Sequence, residues 1–175
     1  QLILVDACGH GASDKPHDPE AYRIELMVED ILSVLDHLGI EKTHYMGYSS
    51  GGYLGFAIAR YALERCYSLI LGGTAPYSEE DEGSTWTDEQ IAKLEKQSSE
   101  DFVNGLESFM VSQNFPPFSS RLKASMLKHD PQALIAWHRG SSTWQGFDDF
   151  LRKITLPCLL YAGENTGEYP LARRA

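Results

Sequence analysis

The residues best suited to covalent chemistry lie in one short segment, Gly47-Tyr48-Ser49-Ser50-Gly51-Gly52. A serine hydroxyl is a weak nucleophile, so the protein must expose it and hold it beside a base. A tight turn from a strand into a helix would push Ser49 outward. Glycines two residues before and two residues after it would keep the neighbouring backbone from colliding with it. The pattern predicts a nucleophilic serine at Ser49. Taken alone, it also fits a glycine-rich turn with a helix-capping serine.

A helix that begins directly after Ser49 would add a second functional group. The first N–H groups of a helix have no partner inside it and carry the positive end of the helix dipole. The N–H of Ser50 is therefore placed to stabilise the negative oxygen that forms when a carbonyl carbon is attacked. We expect Ser49 as nucleophile and Ser50 as oxyanion donor to form the centre of the site.

The elements around this segment alternate between strand and helix. Apolar residues at helical spacing predict helices over residues 22–38, 53–59 and 147–154. Short apolar runs bounded by Gly or Pro predict strands buried on both faces, namely Leu2–Asp6, Thr43–Tyr48, Ser68–Gly72 and Cys158–Ala162. This order implies parallel crossovers, so the predicted fold is α/β, with a partial doubly wound, mainly parallel sheet covered on both faces.

A helical insertion interrupts the alternation after Gly73. Helical patterns cover Ile91–Lys96, Asp101–Gln113 and Ser119–Lys128. We therefore predict a core of residues 1–77 and 146–175, incomplete at both ends, and a helical cap of residues 78–145. The cap is rich in aromatic residues, which at helical spacing more often form core than pocket: Trp86, Phe102, Phe109, Phe115, Phe118, Trp137 and Trp144. If some of them face Ser49, the pocket is apolar and suits an acyl or aromatic ester.

A second motif, Asp6-Ala7-Cys8-Gly9-His10-Gly11-Ala12-Ser13-Asp14, follows the first predicted strand. It is similar to the D-x-x-G-x-G-x-S segment of the α/β-hydrolase fold family, and the elbow around Ser49 and the order of the elements resemble that family too. The resemblance covers most of the chain apart from the cap. It implies a serine hydrolase that acts on a small-molecule ester or related acyl bond, without a metal or an organic cofactor. The serine argues against the branches of the family that use an aspartate at the elbow.

The resemblance also implies a triad of serine, acid and histidine, in that order along the chain. The acid would follow the strand Cys158–Ala162, where Glu164 and Glu168 are both candidates and both could equally be solvated loop charges. The family pattern would place an aspartate where Thr166 stands. All six histidines precede this position, namely His10, His17, His37, His44, His129 and His138. The base is therefore expected beyond the chain, with a cap histidine as a less favoured alternative and His10 as a structural or pocket-wall residue.

The beginning of the chain predicts that it is an internal fragment. It opens inside a strand pattern, with no initiator Met and no charged leader. The family places a further strand between Leu2–Asp6 and Thr43–Tyr48, and its oxyanion loop supplies the second N–H. Without that strand, backbone groups would lose their partners at about 1–3 kcal/mol each. We expect the fragment alone to be unstable and inactive.

Composition limits the partners. The chain has 175 residues and a net charge of −10, which repels phosphate backbones and anionic lipid, so neither nucleic acid nor a membrane is an expected partner. The three scattered cysteines, Cys8, Cys66 and Cys158, predict buried free thiols in a reducing compartment, hence a cytoplasmic location. The oligomeric state is left open.

Two other functions fit the sequence less well than hydrolysis. The same fold with a retained serine can serve as a non-catalytic ligand-binding module, and the departure at Thr166 keeps that alternative open. A scaffold acting through the acidic stretch Glu79–Asp101 is a third, although charge runs are usually solvated faces.

Overall fold

The computed structural model describes residues 1–77, 91, 95–112, 116–147, 149–164, 170 and 173. Its helices and strands, in chain order, are α1 (Ile24–His37), β1 (Thr43–Tyr48), α2 (Ser50–Ala62), β2 (Cys66–Gly72), α3 (Ser99–Ser112), α4 (Ser120–Met126), α5 (Pro131–Ser141) and β3 (Cys158–Tyr161). Short 3-10 turns lie at Pro19–Tyr22, Leu63–Arg65 and Leu151–Lys153. Within this described part, no helix is both long and apolar enough to cross a membrane.

The three strands form one parallel sheet in the order β1-β2-β3. Gly47 of β1 pairs with Leu71, and Leu71 pairs with Leu160 of β3. Helix α2 packs on β1 and β2, and α1 packs against α2. Gly55 of α2 lies against Leu71 of the sheet, and both Leu71 and Phe56, which stacks on Phe147, are almost fully buried. The predicted α/β fold with a parallel sheet is confirmed.

One face of this sheet remains open. Side chains of β1 alternate between half-buried and exposed, and Met46 and Tyr48 are 68% and 63% exposed. Leu159 on β3 is 58% exposed. Among the described residues, no strand pairs with the edge of β1 that faces away from β2. The expectation of a sheet covered on both faces is therefore wrong for the part of the chain that the structure describes.

The chain divides into two compact units. The sheet, α1 and α2 belong to the unit of residues 23–83 and 143–175. The other unit joins residues 1–22 to residues 84–142. In it, α5 packs so closely on the Pro19–Tyr22 turn that a Cβ added to Gly140 would lie 2.5 Å from the Pro19 carbonyl oxygen. The domain boundaries drawn from the sequence stay a prediction.

Several predicted elements differ from the structure. Residues 2–6 form no strand, because no strand in the described ranges pairs with them, and Leu2 and Leu4 are more than 80% exposed. The helix predicted over 147–154 is only the 3-10 turn Leu151–Lys153. Helix α5 was not predicted; Asp130 caps it by accepting hydrogen bonds from the N–H groups of Gln132 and Ala133. Half of the helix predicted at Ile91–Lys96 lies outside the described residues.

Candidate active site

Ser49 lies at the junction between β1 and α2, in a backbone conformation that non-glycine residues rarely adopt. Its φ is 54° and its ψ is −121°, and among the described residues no other non-glycine residue has a positive φ. Such a conformation costs about 1–3 kcal/mol. It persists because the neighbouring backbone is hydrogen-bonded: the Ser49 N–H donates to the Gly72 carbonyl at 2.8 Å, and the Ser49 carbonyl accepts from the Tyr53 N–H at 3.0 Å.

The Ser49 side chain is exposed, and its hydroxyl has no hydrogen-bond partner within the described part of the chain. In particular, it does not cap α2, although Ser49 occupies the N-cap position. The interpretation of this serine as a helix cap is therefore wrong. The strand-to-helix turn exposes the Ser49 hydroxyl to solvent, and a nucleophile must be accessible in this way to reach its substrate.

The N-terminus of α2 begins at the next residue. The N–H of Ser50 has no acceptor among the described residues, and no acidic side chain lies in the first turn of the helix. The positive end of the helix dipole is thus uncompensated beside the Ser49 hydroxyl. This geometry can stabilise a negative oxygen that forms on a carbonyl attacked by Ser49.

Close backbone packing fixes the angle between β1 and α2. A Cβ at Gly47 would collide with the carbonyl group of Gly51, a backbone group that cannot rotate away. A Cβ at Gly52 would lie 2.5 Å from the Thr74 methyl group and 3.0 Å from the Gly72 carbonyl oxygen. A Cβ at Gly51 would meet nothing within 4 Å. The space around Gly47 therefore requires a glycine, as predicted. The prediction is wrong for Gly51, and on that side of Ser49 it is Gly52 that makes the close contact.

Tyr45 lies beneath this junction. Its hydroxyl donates a hydrogen bond to the Gly51 carbonyl oxygen at 2.8 Å. Its ring lies against Gly55, where a Cβ would come within 2.9 Å of the Tyr45 Cε1 atom. Burial raises the pKa of the Tyr45 phenol to about 12, so the hydroxyl stays protonated and keeps donating. Sequence reasoning missed this residue; its spacing of two from Gly47, which places both on one side of β1, was the available signal.

The predicted acids are only partly described. Glu164 is exposed in a turn three residues after β3, whereas Glu168 and Thr166 lie outside the described residues. Ser49 and Glu164 both follow the carboxyl ends of parallel strands, at one edge of the sheet. Because β2 separates β1 from β3, their strand axes are about 10 Å apart. That spacing leaves room for a side chain between Ser49 and Glu164.

The rings of His10 and His44 each contact neighbouring groups. The His10 ring lies edge-on to the His129 ring at 5.9 Å and to the Trp137 ring at 5.8 Å, and its Nδ1 is 3.1 Å from the Cys8 carbonyl oxygen. Burial lowers the pKa of His10. His44 Nδ1 lies 2.7 Å from the Ser68 hydroxyl, at the start of β1. His10 therefore has the packed surroundings expected of a structural residue.

The Asp6–Asp14 motif forms a closed loop. The Asp6 carboxylate accepts a hydrogen bond from the Ala12 N–H at 2.8 Å, and the Ser13 hydroxyl donates to the Asp6 carbonyl at 2.5 Å. Gly11 has a φ of 53°, and a Cβ there would collide with the Asp6 carboxylate. Asp6, Gly11 and Ser13 of this motif therefore stabilise the conformation of the loop.

The three cysteines differ in their exposure to solvent. All three cysteines are free, but only Cys66 is buried; Cys8 is half-buried, and Cys158 is exposed on the outer strand β3. The prediction of three buried thiols is wrong in this respect. No group of three or more His, Cys, Asp or Glu residues within the described ranges is placed to hold a metal ion.

Comparison with known proteins identifies the family. The sequence model of the alpha/beta hydrolase fold matches residues 1–110. The chain is 28% identical to a putative 2-succinyl-6-hydroxy-2,4-cyclohexadiene-1-carboxylate synthase of Bacillus subtilis, over 94% of this chain and 64% of that protein. It is 39% identical to 3-oxoadipate enol-lactonase 2 of Acinetobacter baylyi, over 42% of this chain and 27% of that protein.

A solved structure extends the likeness to the fold. The enol-lactonase from Burkholderia xenovorans matches with a TM-score of 0.76 at 19% identity, over 95% of this chain and 64% of that one. The chain thus spans less than two thirds of the length of these relatives. With the family match over residues 1–110 and the strand–turn–helix at Ser49, the chain belongs to the α/β-hydrolase fold family.

Proposed function

We propose that the protein is a serine hydrolase that acts on a small-molecule ester, lactone or related acyl bond, with Ser49 as nucleophile. One observation carries this proposal: the exposed Ser49 hydroxyl lies on a strained turn next to the N–H of Ser50, which has no acceptor among the described residues. Strain of this kind persists only where the surrounding structure enforces it, and it concentrates at functional sites. The similarity to 3-oxoadipate enol-lactonase 2 of Acinetobacter baylyi supports an oxygen ester or a lactone as the substrate class.

The reaction proceeds through an acyl-enzyme. A histidine base takes the proton of the Ser49 hydroxyl as its oxygen attacks the carbonyl carbon, and the carbonyl oxygen becomes an oxyanion. The N–H of Ser50 donates a hydrogen bond to that oxyanion; one such donor contributes about 3–4 kcal/mol to transition-state stabilisation in hydrolases. The histidine then protonates the leaving alcohol. Water, activated by the same base, then attacks the acyl carbon, and the carboxylic acid product leaves Ser49.

An acid and a histidine complete the proposed triad. Glu164, at the same sheet edge as Ser49, or Glu168 orients the histidine. The axes of β1 and β3, the strands that precede these residues, are about 10 Å apart, a spacing that suits an imidazole between the two side chains. No described residue is hydrogen-bonded to the Ser49 hydroxyl, so we expect the base to come from outside these 175 residues. By the same reasoning, the 175 residues alone are expected to be inactive.

The test is labelling of the full-length protein with a fluorophosphonate, together with hydrolysis of a p-nitrophenyl ester. Ser49→Ala should abolish the covalent adduct and lower kcat/KM by about a thousandfold or more. Ser68→Ala is the matched control, because the Ser68 hydroxyl also lies next to an imidazole, that of His44, yet Ser68 is within a strand. This control should retain both the adduct and the activity.

The alternatives give different results. A non-catalytic ligand-binding protein would form no adduct that depends on Ser49 and would show no turnover. A synthase, as the Bacillus subtilis relative is named, would form its product without consuming water. Turnover of the ester to free acid and alcohol, lost in Ser49→Ala and kept in Ser68→Ala, supports the hydrolase.

A further inference from the structure

The hydrogen bond beneath the elbow connects the sheet to the turn that carries the oxyanion donor. Tyr45 and Gly47 lie on the same side of β1, two residues apart. Gly47, lacking a Cβ, lets the Gly51 carbonyl come against the strand, and the Tyr45 hydroxyl donates to that carbonyl at 2.8 Å. The first turn of α2 is thus held to the strand by a steric contact and by a hydrogen bond.

We propose that Tyr45 is a positioning residue for acyl transfer, because its hydrogen bond to the Gly51 carbonyl holds the first turn of α2, and with it the N–H of Ser50, where the oxyanion forms. This inference rests on the proposed function. It adds a residue that acts through the Gly51 carbonyl group. It also assigns the Tyr45 hydroxyl a task that the motif around Ser49 does not indicate.

The hydrogen bond matters more in the transition state than in the bound substrate. A developing oxyanion attracts the Ser50 N–H far more strongly than a neutral carbonyl does. This attraction pulls the first turn of α2 towards the oxyanion. The elbow has little freedom to accommodate such a shift, since Ser49 already occupies a strained conformation. A turn anchored from below by Tyr45 keeps its donor in place without rearrangement, and loss of that anchor should lower kcat while leaving KM almost unchanged.

The experiment compares the Tyr45 hydroxyl, which donates to the first turn of α2, with the hydroxyl of Tyr61, a residue near the other end of that helix. Tyr45→Phe removes the hydroxyl but keeps the ring that packs on Gly55. Tyr61→Phe, the matched control, removes the hydroxyl that donates to Glu25 near the far end of α2. Hydrolysis of a p-nitrophenyl ester by the full-length protein is measured for each variant. The rate is expressed per active site, counted by fluorophosphonate titration, so partial unfolding does not mimic a catalytic defect.

For Tyr45→Phe we expect kcat per site to fall about five- to tenfold, with KM within about twofold of the wild type. Tyr61→Phe should leave both constants unchanged. Placing 4-aminophenylalanine at position 45 restores a donor to the Gly51 carbonyl and should recover most of kcat. This recovery separates positioning from a general loss of stability, because an amine replaces the hydroxyl at the same end of the same ring.

Three results would overturn the assignment: an unchanged kcat per site in Tyr45→Phe, an equal loss in Tyr61→Phe, or no recovery with 4-aminophenylalanine. The Ser49→Ala variant keeps this outcome separate from the proposed function. If Ser49→Ala is inactive while Tyr45→Phe behaves as the wild type, only the inference about Tyr45 fails. If Ser49→Ala keeps its activity, the hydrolase proposal fails first.

Discussion

Adding one methyl group at Gly47 should damage the elbow, whereas the same change at Gly51 should not. At Gly47 the new Cβ would overlap the Gly51 carbonyl carbon and oxygen, which are backbone atoms, so β1 and α2 must move apart. Overpacking of this kind costs about 1–3 kcal/mol of folding free energy. At Gly51 the new Cβ would enter open space. Because alanine favours a helix by up to about 1 kcal/mol over glycine, Gly51→Ala should be neutral or slightly stabilising.

The effect on activity should exceed the effect on stability. To relieve the overlap, α2 must shift on the order of 1 Å, and a displacement of that size at a reacting group can lower the rate about a hundredfold. Gly47→Ala should therefore slow both fluorophosphonate labelling of Ser49 and ester hydrolysis to that extent. Urea unfolding of the full-length variants gives the stability, and the labelling rate gives the reactivity of Ser49.

The matched pair makes the reasoning refutable. If Gly47→Ala unfolds and reacts as the wild type does, the contact with Gly51 does not determine the elbow. If Gly51→Ala is as damaging as Gly47→Ala, glycine is needed at both positions for a reason other than the space around the Cβ. Only a large defect in the first variant together with a neutral second variant supports the packing account.

Other features predict changes in stability and its pH dependence. Asp130→Ala removes the cap of α5 and the 2.9 Å contact with His17, and should lower the free energy of unfolding by about 1–2 kcal/mol, measured with urea. Burial lowers the pKa of His10 in the folded protein, so the unfolded chain takes up a proton at this residue more readily. The free energy of unfolding should therefore be highest above about pH 6.5 and should decline as the pH falls from there through the folded pKa. His10→Gln should flatten that decline in urea titrations at pH 5 to 7. Expressed alone, the 175 residues should hydrolyse no p-nitrophenyl ester.

The elbow could be predicted because local sequence determines it. A run with strand character, a glycine, a serine and a run with helical character imply a sharp turn, and Ser49 lies on that turn, exposed and with a positive φ. The strand Thr43–Tyr48 has the predicted bounds, and the predicted β3 differs by one residue. What the sequence did not reveal was the reason for each glycine. Gly51 fits the motif but has open space around its Cβ, whereas Gly52 packs against Thr74, a contact between residues distant along the chain.

Elements that depend on distant partners were predicted less well. Residues 2–6 have the composition of a buried strand, but a strand needs a neighbour for its hydrogen bonds, and the described residues supply none. Helix α5 was missed although Asp130 precedes Pro131, a pairing typical of a helix start. Trp144 shows the same dependence on context, since its ring stacks on Tyr53, a residue distant along the chain.

The strained serine is maintained from several directions at once, and this redundancy explains how it can persist. From β2, the Gly72 carbonyl holds the Ser49 N–H. From β1, Gly47 admits the Gly51 carbonyl, and the Tyr45 hydroxyl binds it. Each net hydrogen bond contributes about 1 kcal/mol, comparable to the cost of a single unfavourable backbone conformation. Removing one constraint should therefore loosen the elbow without releasing it, so that single substitutions at Tyr45 change the rate while Ser49 keeps its conformation.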